Sequence, residues 1–158
     1  KIGTGSLGGK ARGLAFISTL LQKKAARLER FEGVRILIPQ TLVITTEGFD
    51  AFIEKNNLEY LSKTDADDAA VAQLFLQATV PEWITTHLRA YLAEIDYPLA
   101  VRSSGLLEDA QLNAYADLYS TYILPNDHSN LEQRLAHLLT AVKLVYASTY
   151  YHYSEIFL

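Results

Sequence analysis

The stretch Gly3-Thr4-Gly5-Ser6-Leu7-Gly8-Gly9-Lys10 stands directly before a helical pattern. A glycine-rich turn that leads into a helix is the local structure that this stretch predicts. Glycines let a backbone approach an anion closely and expose its amides. Apolar residues then recur three and four positions apart, which predicts a helix over residues 10–30 with one apolar stripe. The stripe consists of Leu14, Ile17, Leu21, Ala25 and Leu28. A helix N-terminus and the ammonium group of Lys10 would both favour an anion at this point.

Three familiar glycine patterns do not fit this segment. A dinucleotide fingerprint requires a strand before the glycines, and only Lys1-Ile2 precedes them. A Walker loop requires glycine at position 4 and Ser or Thr after the lysine, where Thr4 and Ala11 stand. A protein-kinase loop requires H-R-D and D-F-G segments, which the sequence lacks. On spacing alone, a phosphate-binding turn and a plain turn with a solvated lysine both remain open.

Helices and strands are expected to follow in an irregular order, which favours an α+β fold over a regular doubly wound sheet. Strands are predicted as two short pieces around Pro39 within 35–46, at 99–104 and at 118–124. Helices are predicted from Thr46 as N-cap to about 56, over 65–77, over 81–94 and from about 129 onward. The last helix carries its apolar face on Leu131, Leu135, Leu138, Val142 and Val145.

Composition restricts the class of protein. The 158 residues are 49% hydrophobic with a net charge of -4, which suits one ordinary domain and disfavours a disordered chain or a nucleic-acid binder. Cysteine is absent, which excludes disulfides and thiolate metal sites. No apolar run approaches the roughly 20 residues of a membrane span. Because methionine is also absent, we expect residues 1–158 to be a single-domain fragment of a larger, cytoplasmic protein.

The segment Val101-Arg102-Ser103-Ser104 is the second candidate for anion binding. A buried arginine at the end of an apolar strand is costly without an anionic partner, and its guanidinium fits phosphate oxygens bidentately. The two serine hydroxyls would add donors. An internal ion pair of Arg102 with Glu108 or Asp109 explains the same residues equally well. The four histidines are scattered, so no metal site is predicted.

These segments together resemble the N-terminal ATP-binding domain of the pyruvate phosphate dikinase and phosphoenolpyruvate synthase family. The matching segments, in chain order, are Gly8-Gly9-Lys10-Ala11-Arg12-Gly13-Leu14, residues 38–46 (IPQTLVITT), residues 101–109 (VRSSGLLED), residues 114–121 (AYADLYST) and Val145-Tyr146-Ala147-Ser148. Four motifs in the same order, followed by a similar last helix, are far more specific than any one of them.

The resemblance implies the first subdomain of an ATP-grasp-like fold, with a short mixed sheet packed against helices. By motif match, Lys10 and Arg102 are the catalytic residues that contact the ATP phosphates. The remaining ATP-binding positions are Gly8, Gly9, Ser103, Ser104, Asp117 and Thr121. The resemblance further implies Mg²⁺ with ligands mainly outside the fragment, and a second subdomain, phosphohistidine domain and barrel domain elsewhere in the parent. A homodimer is possible; nucleic acid and membrane are not expected partners.

Three residues depart from the family pattern. Asp117 replaces a loop glycine, and a carboxylate repels phosphate unless a cation lies between them. Ala11 replaces another glycine, and Leu42 replaces an aromatic residue. Asp117 therefore keeps a second hypothesis open, a non-catalytic regulatory or assembly domain that retains the fold. A related phosphotransferase with another acceptor, such as an antibiotic or a glucan, is a third hypothesis.

Overall fold

The computed structural model describes residues 1–23, 38–104 and 120–151, and within them it shows helices packed around one small sheet. The α-helices are α1 (Gly9–Lys23), α2 (Thr46–Lys55), α3 (Asp68–Gln77), α4 (Glu82–Glu94) and α5 (Leu131–Ala147). The strands β1 (Leu99–Arg102) and β2 (Thr121–Leu124) pair antiparallel. Two short 3₁₀ helices span Glu59–Lys63 and Ser148–Tyr150. The predicted α+β class is confirmed.

Helix α5 is the centre of the packing. It contacts α3, α4 and both strands. Its predicted apolar face is confirmed, because Leu135, Leu138, Val142 and Val145 are buried and Leu131 is half-buried. The side-chain amide oxygen of Asn130 caps the helix by accepting from the amides of Glu132 and Gln133, and such a cap contributes roughly 1 kcal/mol.

Five aromatic rings connect α2, α3 and the C-terminal end of α5. The ring of Phe52 lies 5.6 Å from that of Phe75 and 5.3 Å from that of Tyr146, between centroids. Phe49 packs edge-on against Tyr146 at 5.0 Å, and Phe75 lies 5.5 Å from Tyr150. Burial raises the pKa of Tyr146. Tyr150, in the 3₁₀ helix that follows α5, thus packs against the core.

The apolar stripe predicted on α1 is largely exposed in the described part of the helix. The side chains of Leu14 and Ile17 are 38% and 47% exposed, and that of Leu21 is half-buried. Ala11, in the first turn, is the buried residue of α1. Periodicity identified the helix correctly, but it does not report which neighbour covers the stripe. Residues 24–30 of the predicted helix lie outside the described residues.

The strand prediction around Pro39 is also corrected. Residues 38–46 form no strand, and their pairing is limited to one parallel bridge between Ile2 and Ile44. Residues 35–37 of the predicted strand pieces lie outside the described residues. The sheet of the described residues is therefore a two-stranded antiparallel pair rather than a mixed sheet.

Two helix starts move slightly from their predicted positions. The N-cap of α2 is Thr45, and Thr46 is its first helical residue. Helix α3 begins at Asp68, after Asp67 accepts a hydrogen bond from the amide of Ala70 at 3.3 Å. No helix among residues 1–23, 38–104 and 120–151 has both the length and the apolar character that a membrane span requires.

Asn126 fastens the turn between β2 and α5 to the turn before β1. Its backbone is left-handed at a φ of 56°, a conformation in which asparagine is favoured. Its buried side-chain nitrogen donates to the carbonyl oxygens of Ile95 and Tyr97, at 3.4 and 3.1 Å. Arg134 donates to the same Ile95 carbonyl at 2.8 Å and to the Asn126 oxygen at 3.4 Å. A single asparagine thus satisfies several buried polar groups.

Replacing Asn126 with alanine should therefore destabilise the protein by about 2 kcal/mol, because the Tyr97 carbonyl loses its Asn126 donor, the Ile95 carbonyl keeps only Arg134, and Arg134 loses an acceptor. Urea unfolding followed by circular dichroism measures the change. Asn57→Ala is the matched control, since Asn57 is also left-handed, at a φ of 52°, but exposed. The control isolates the backbone preference and should cost at most about 1 kcal/mol. Equal losses in both variants would contradict the role of the buried hydrogen bonds.

Candidate functional site

The glycine-rich entry is fastened to the segment that leads into α2. The amide of Ile2 donates to the carbonyl of Val43 at 2.7 Å, and the amide of Thr45 donates back to the carbonyl of Ile2 at 3.0 Å. Further along, the amide of Ser6 donates to the hydroxyl of Thr46 at 3.2 Å. The glycine-rich entry and residues 38–46, which are separate motifs in the sequence, therefore lie side by side.

A carboxylate in the first turn of α2 completes this attachment. Glu47 accepts hydrogen bonds from both the amide and the hydroxyl of Thr4, the second at 2.7 Å. These bonds to Thr4 are the main cause that lowers the pKa of Glu47, and the positive charge of Lys1 lowers it further. Because a helix N-terminus also favours negative charge, the position suits an ionised carboxylate.

Gly8 meets the end of β1 at a point where no side chain fits. A Cβ atom on Gly8 would stand 1.1 Å from the carbonyl oxygen of Ser104. Next to this contact, the amide of Ala11 donates to the hydroxyl of Ser104 at 3.0 Å. The first turn of α1, which contains Lys10, is therefore joined to the strand that ends in Arg102. Ala11 fits where the family pattern has glycine.

Arg102 lies directly across the sheet from Thr121. The two residues are partners in the antiparallel register, which places their Cβ atoms about 5 Å apart on the same face. Both residues are exposed, whereas Ser103 and Ser104 are half-buried. Arg102 makes no ion pair within the part of the chain that the structure describes. The alternative partners Glu108 and Asp109 lie outside it, so the internal ion pair stays a prediction.

The start of β2 is held from the opposite side by the end of α5. The hydroxyl of Ser148, which is fully buried, accepts from the amide of Ser120 at 3.3 Å and donates to the carbonyl of Val145 at 2.7 Å. Ser120 immediately precedes Thr121. Four of the five family segments, spread from residue 8 to residue 148, are thus connected through direct contacts around the strand pair. The fifth, residues 38–46, contacts Ile2 and Ser6, which directly precede the first segment.

Comparison of the sequence with known protein families shows which family contains these segments. The profile of the family described as pyruvate phosphate dikinase, AMP/ATP-binding domain, matches residues 4–155. The chain belongs to this family. The match covers all five segments and confirms the family that the sequence motifs indicated. Comparisons with curated proteins and with solved structures gave no match.

The structure shows where some of the residues predicted from this dikinase family lie. Gly8 contacts Ser104, the amide of Ala11 donates to the Ser104 hydroxyl, and Arg102 pairs with Thr121. In the sequence, Ser103 lies between Arg102, which pairs with Thr121, and Ser104, which contacts Gly8. Asp117 lies outside the described residues, so its effect stays a prediction. Phosphate binding by any of these residues is likewise a prediction.

Sequence reasoning missed two supporting residues of the dikinase-family site. Glu47 was not singled out, although an acid in the first turn after a double threonine is a recognisable signal of a helix start. The second is Tyr91 on α4, whose hydroxyl donates to the carbonyl of Gln40 at 2.8 Å. Burial raises the pKa of Tyr91 to about 12, so its hydroxyl remains a donor at neutral pH. Nothing in the sequence connects Tyr91 with Gln40.

Proposed function

We propose that this chain binds the phosphates of ATP as part of a phosphotransferase of the pyruvate phosphate dikinase type. The observation that carries the proposal is the contact between the Gly8-Gly9-Lys10 turn and Ser104, two residues beyond Arg102. Membership in an AMP/ATP-binding family supports the choice of nucleotide. Two cationic residues distant in sequence thus belong to backbone segments that touch.

The first turn of α1 supplies a backbone environment that favours anions. The first intrahelical bond runs from the amide of Arg12 to the carbonyl of Gly8 at 3.1 Å, so the amides of Gly9 and Lys10 precede the helical ladder. Amides at a helix N-terminus carry partial positive charge and point toward a bound anion. In the proposal, Lys10 adds a full charge at the same end of the helix.

Arg102 supplies the second cation from the end of β1. A guanidinium presents donors in a planar fork that matches two phosphate oxygens. The hydroxyls of Ser103, Ser104 and Thr121 lie on or opposite the same strand end. In the proposed function, Lys10 and Arg102 bind the phosphates and stabilise the charge that spreads over the transferred phosphoryl group.

The wider reaction is also part of the proposal. We infer that the phosphoryl group passes to a histidine on another domain of the same protein, that a second subdomain closes over the nucleotide, and that the protein acts in the cytoplasm. Residues 1–23, 38–104 and 120–151 contain no cluster of three histidine, aspartate or glutamate side chains. The proposal therefore places the Mg²⁺ ligands mainly in the second subdomain, where one or two carboxylates and the ATP phosphates would suffice to hold the ion.

The test is calorimetric titration of the full-length natural protein with ATP, beside a variant that carries Lys10→Ala and Arg102→Ala. Loss of a charged hydrogen bond costs at least about 1.5 kcal/mol, so each substitution should weaken binding roughly tenfold. The control carries Lys23→Ala and Lys63→Ala, which remove the same two charges at exposed positions elsewhere. Equal affinity for ATP in the wild type and in the Lys10/Arg102 variant would reject the site.

A further inference from the structure

We propose that Glu47 is a positioning residue for the ATP site, because its carboxylate fixes the glycine-rich entry from which the Gly8-Gly9-Lys10 turn begins. The inference rests on the proposed function. It concerns a residue outside the motif positions that carry the phosphate contacts. Glu47 acts through Thr4 and not through the nucleotide.

The contacts show how one carboxylate restrains the entry. The amide and the hydroxyl of Thr4 both donate to the same oxygen of Glu47, Oε2. On the adjacent residue, a Cβ atom at Gly3 would stand 3.0 Å from that oxygen and 2.5 Å from the hydroxyl of Thr45. Gly3 also has a φ of 86°, which side chains rarely adopt. The backbone therefore approaches Glu47 as closely as a glycine permits.

Restraint at Thr4 is transmitted to Lys10 along a short and repeatedly anchored stretch. After Thr4, the amide of Ser6 donates to the hydroxyl of Thr46, and Gly8 then lies against Ser104. The entry is thus held at three successive points before the first turn of α1. If the first point is lost, residues 3–6 gain conformational freedom that ATP binding must remove, and this lowers affinity.

The charge of Glu47 has a second consequence. Two helices begin beside the glycine-rich entry, α1 and α2, and each N-terminus favours an anion. In α2 the anion is the protein's own carboxylate, Glu47, in the first turn. A phosphate placed at that end would meet like charge. The N-terminus of α1, whose first turn has no acidic residue, is left as the end that accepts the phosphate.

The test compares Glu47→Ala, Glu47→Gln and Glu132→Ala in the full-length natural protein. Glu132 is the matched control, because it is an exposed carboxylate in the first turn of α5 and accepts two hydrogen bonds from Arg89, at 2.8 and 3.1 Å. The readouts are ATP affinity by calorimetry and hydrogen exchange at the Thr4 amide. The melting temperature shows whether each variant remains folded.

Glu47→Ala should weaken ATP binding about tenfold, as expected for the loss of charged hydrogen bonds, and should speed exchange at Thr4. Glu47→Gln keeps an acceptor for Thr4 and should recover most of the affinity. Glu132→Ala should leave both readouts unchanged. The melting temperature separates this pattern from a general loss of stability, because a Glu47→Ala variant that is folded at the temperature of the titration should still bind ATP more weakly.

Unchanged ATP affinity in Glu47→Ala would overturn the inference, even if exchange at Thr4 rises. Equal affinities in Glu47→Ala and Glu132→Ala would do the same. If the wild type binds no ATP, the proposed function fails. In that case exchange at Thr4 still decides whether Glu47 holds the entry, and unchanged exchange in Glu47→Ala would reject that contact as well.

Discussion

Replacing Gly8 with alanine should reduce ATP binding by more than 100-fold, a larger loss than removal of either Lys10 or Arg102, the two cations proposed to bind phosphate. The added methyl group would stand 1.1 Å from the carbonyl oxygen of Ser104. Because that atom belongs to the backbone, no side chain can rotate away to relieve the overlap. The first turn of α1 would have to separate from β1, and at ~1.4 kcal/mol per tenfold such a loss requires only about 3 kcal/mol.

The measurement is calorimetric titration of the full-length natural protein with ATP, together with its melting temperature. Gly13→Ala is the matched control, because Gly13 lies on the same helix with nothing within 4 Å of an added Cβ. The control should bind ATP normally and should be more stable by roughly 0.5–1 kcal/mol, since alanine favours a helix. Normal ATP binding by Gly8→Ala would show that the contact with Ser104 does not set the site.

Replacing Phe52 with alanine should lower the free energy of unfolding by about 3–5 kcal/mol, because the change leaves a cavity in the core. Phe52 is fully buried, and its ring contacts those of Phe75 and Tyr146. It therefore connects three helices, α2, α3 and α5. A typical domain has a total stability of roughly 5–15 kcal/mol, so this loss is a large part of the whole.

Urea unfolding measured by circular dichroism tests this expectation. The matched control is Phe16→Ala, which removes the same side chain from a position that is 67% exposed on α1. Substitutions at exposed positions usually change stability by less than about 0.5 kcal/mol. Similar losses in the two variants would contradict the assignment of Phe52 to the core and would place a packed surface over α1.

The positions of the helices were predictable because the apolar periodicity and the helix-start residues agreed with the tertiary packing. The apolar face of α5 and its asparagine cap are both visible in the sequence, and both are observed. The strand prediction near Pro39 was wrong for residues 38–46. Leu42, Val43 and Ile44 have strand propensity, but a strand also requires pairing along its length, and in this segment only Ile44 forms a bridge, to Ile2. Propensity alone does not show whether a pairing partner is present.

The order of the motifs predicted the family, and it also nominated Lys10 and Arg102, whose backbone segments touch in the fold. The binding roles of these two residues stay predictions. The contributions of Glu47 and Ser148 depend on hydrogen bonds across long separations, 43 residues from Thr4 to Glu47 and 28 from Ser120 to Ser148. Such contacts produce no periodic pattern in a single sequence. The chemistry is therefore easier to recognise than the scaffold that orients it.

The contact at Ser104 also has a consequence for how the chain is made. Its hydrogen bond to Ala11 closes a separation of 93 residues, and contacts of this range carry a high entropic cost and form slowly. During synthesis the glycine turn leaves the ribosome long before Ser104 does. A nascent chain therefore has the glycine turn without its contact at Ser104, and the proposed phosphate site can assemble only after most of the domain has been translated.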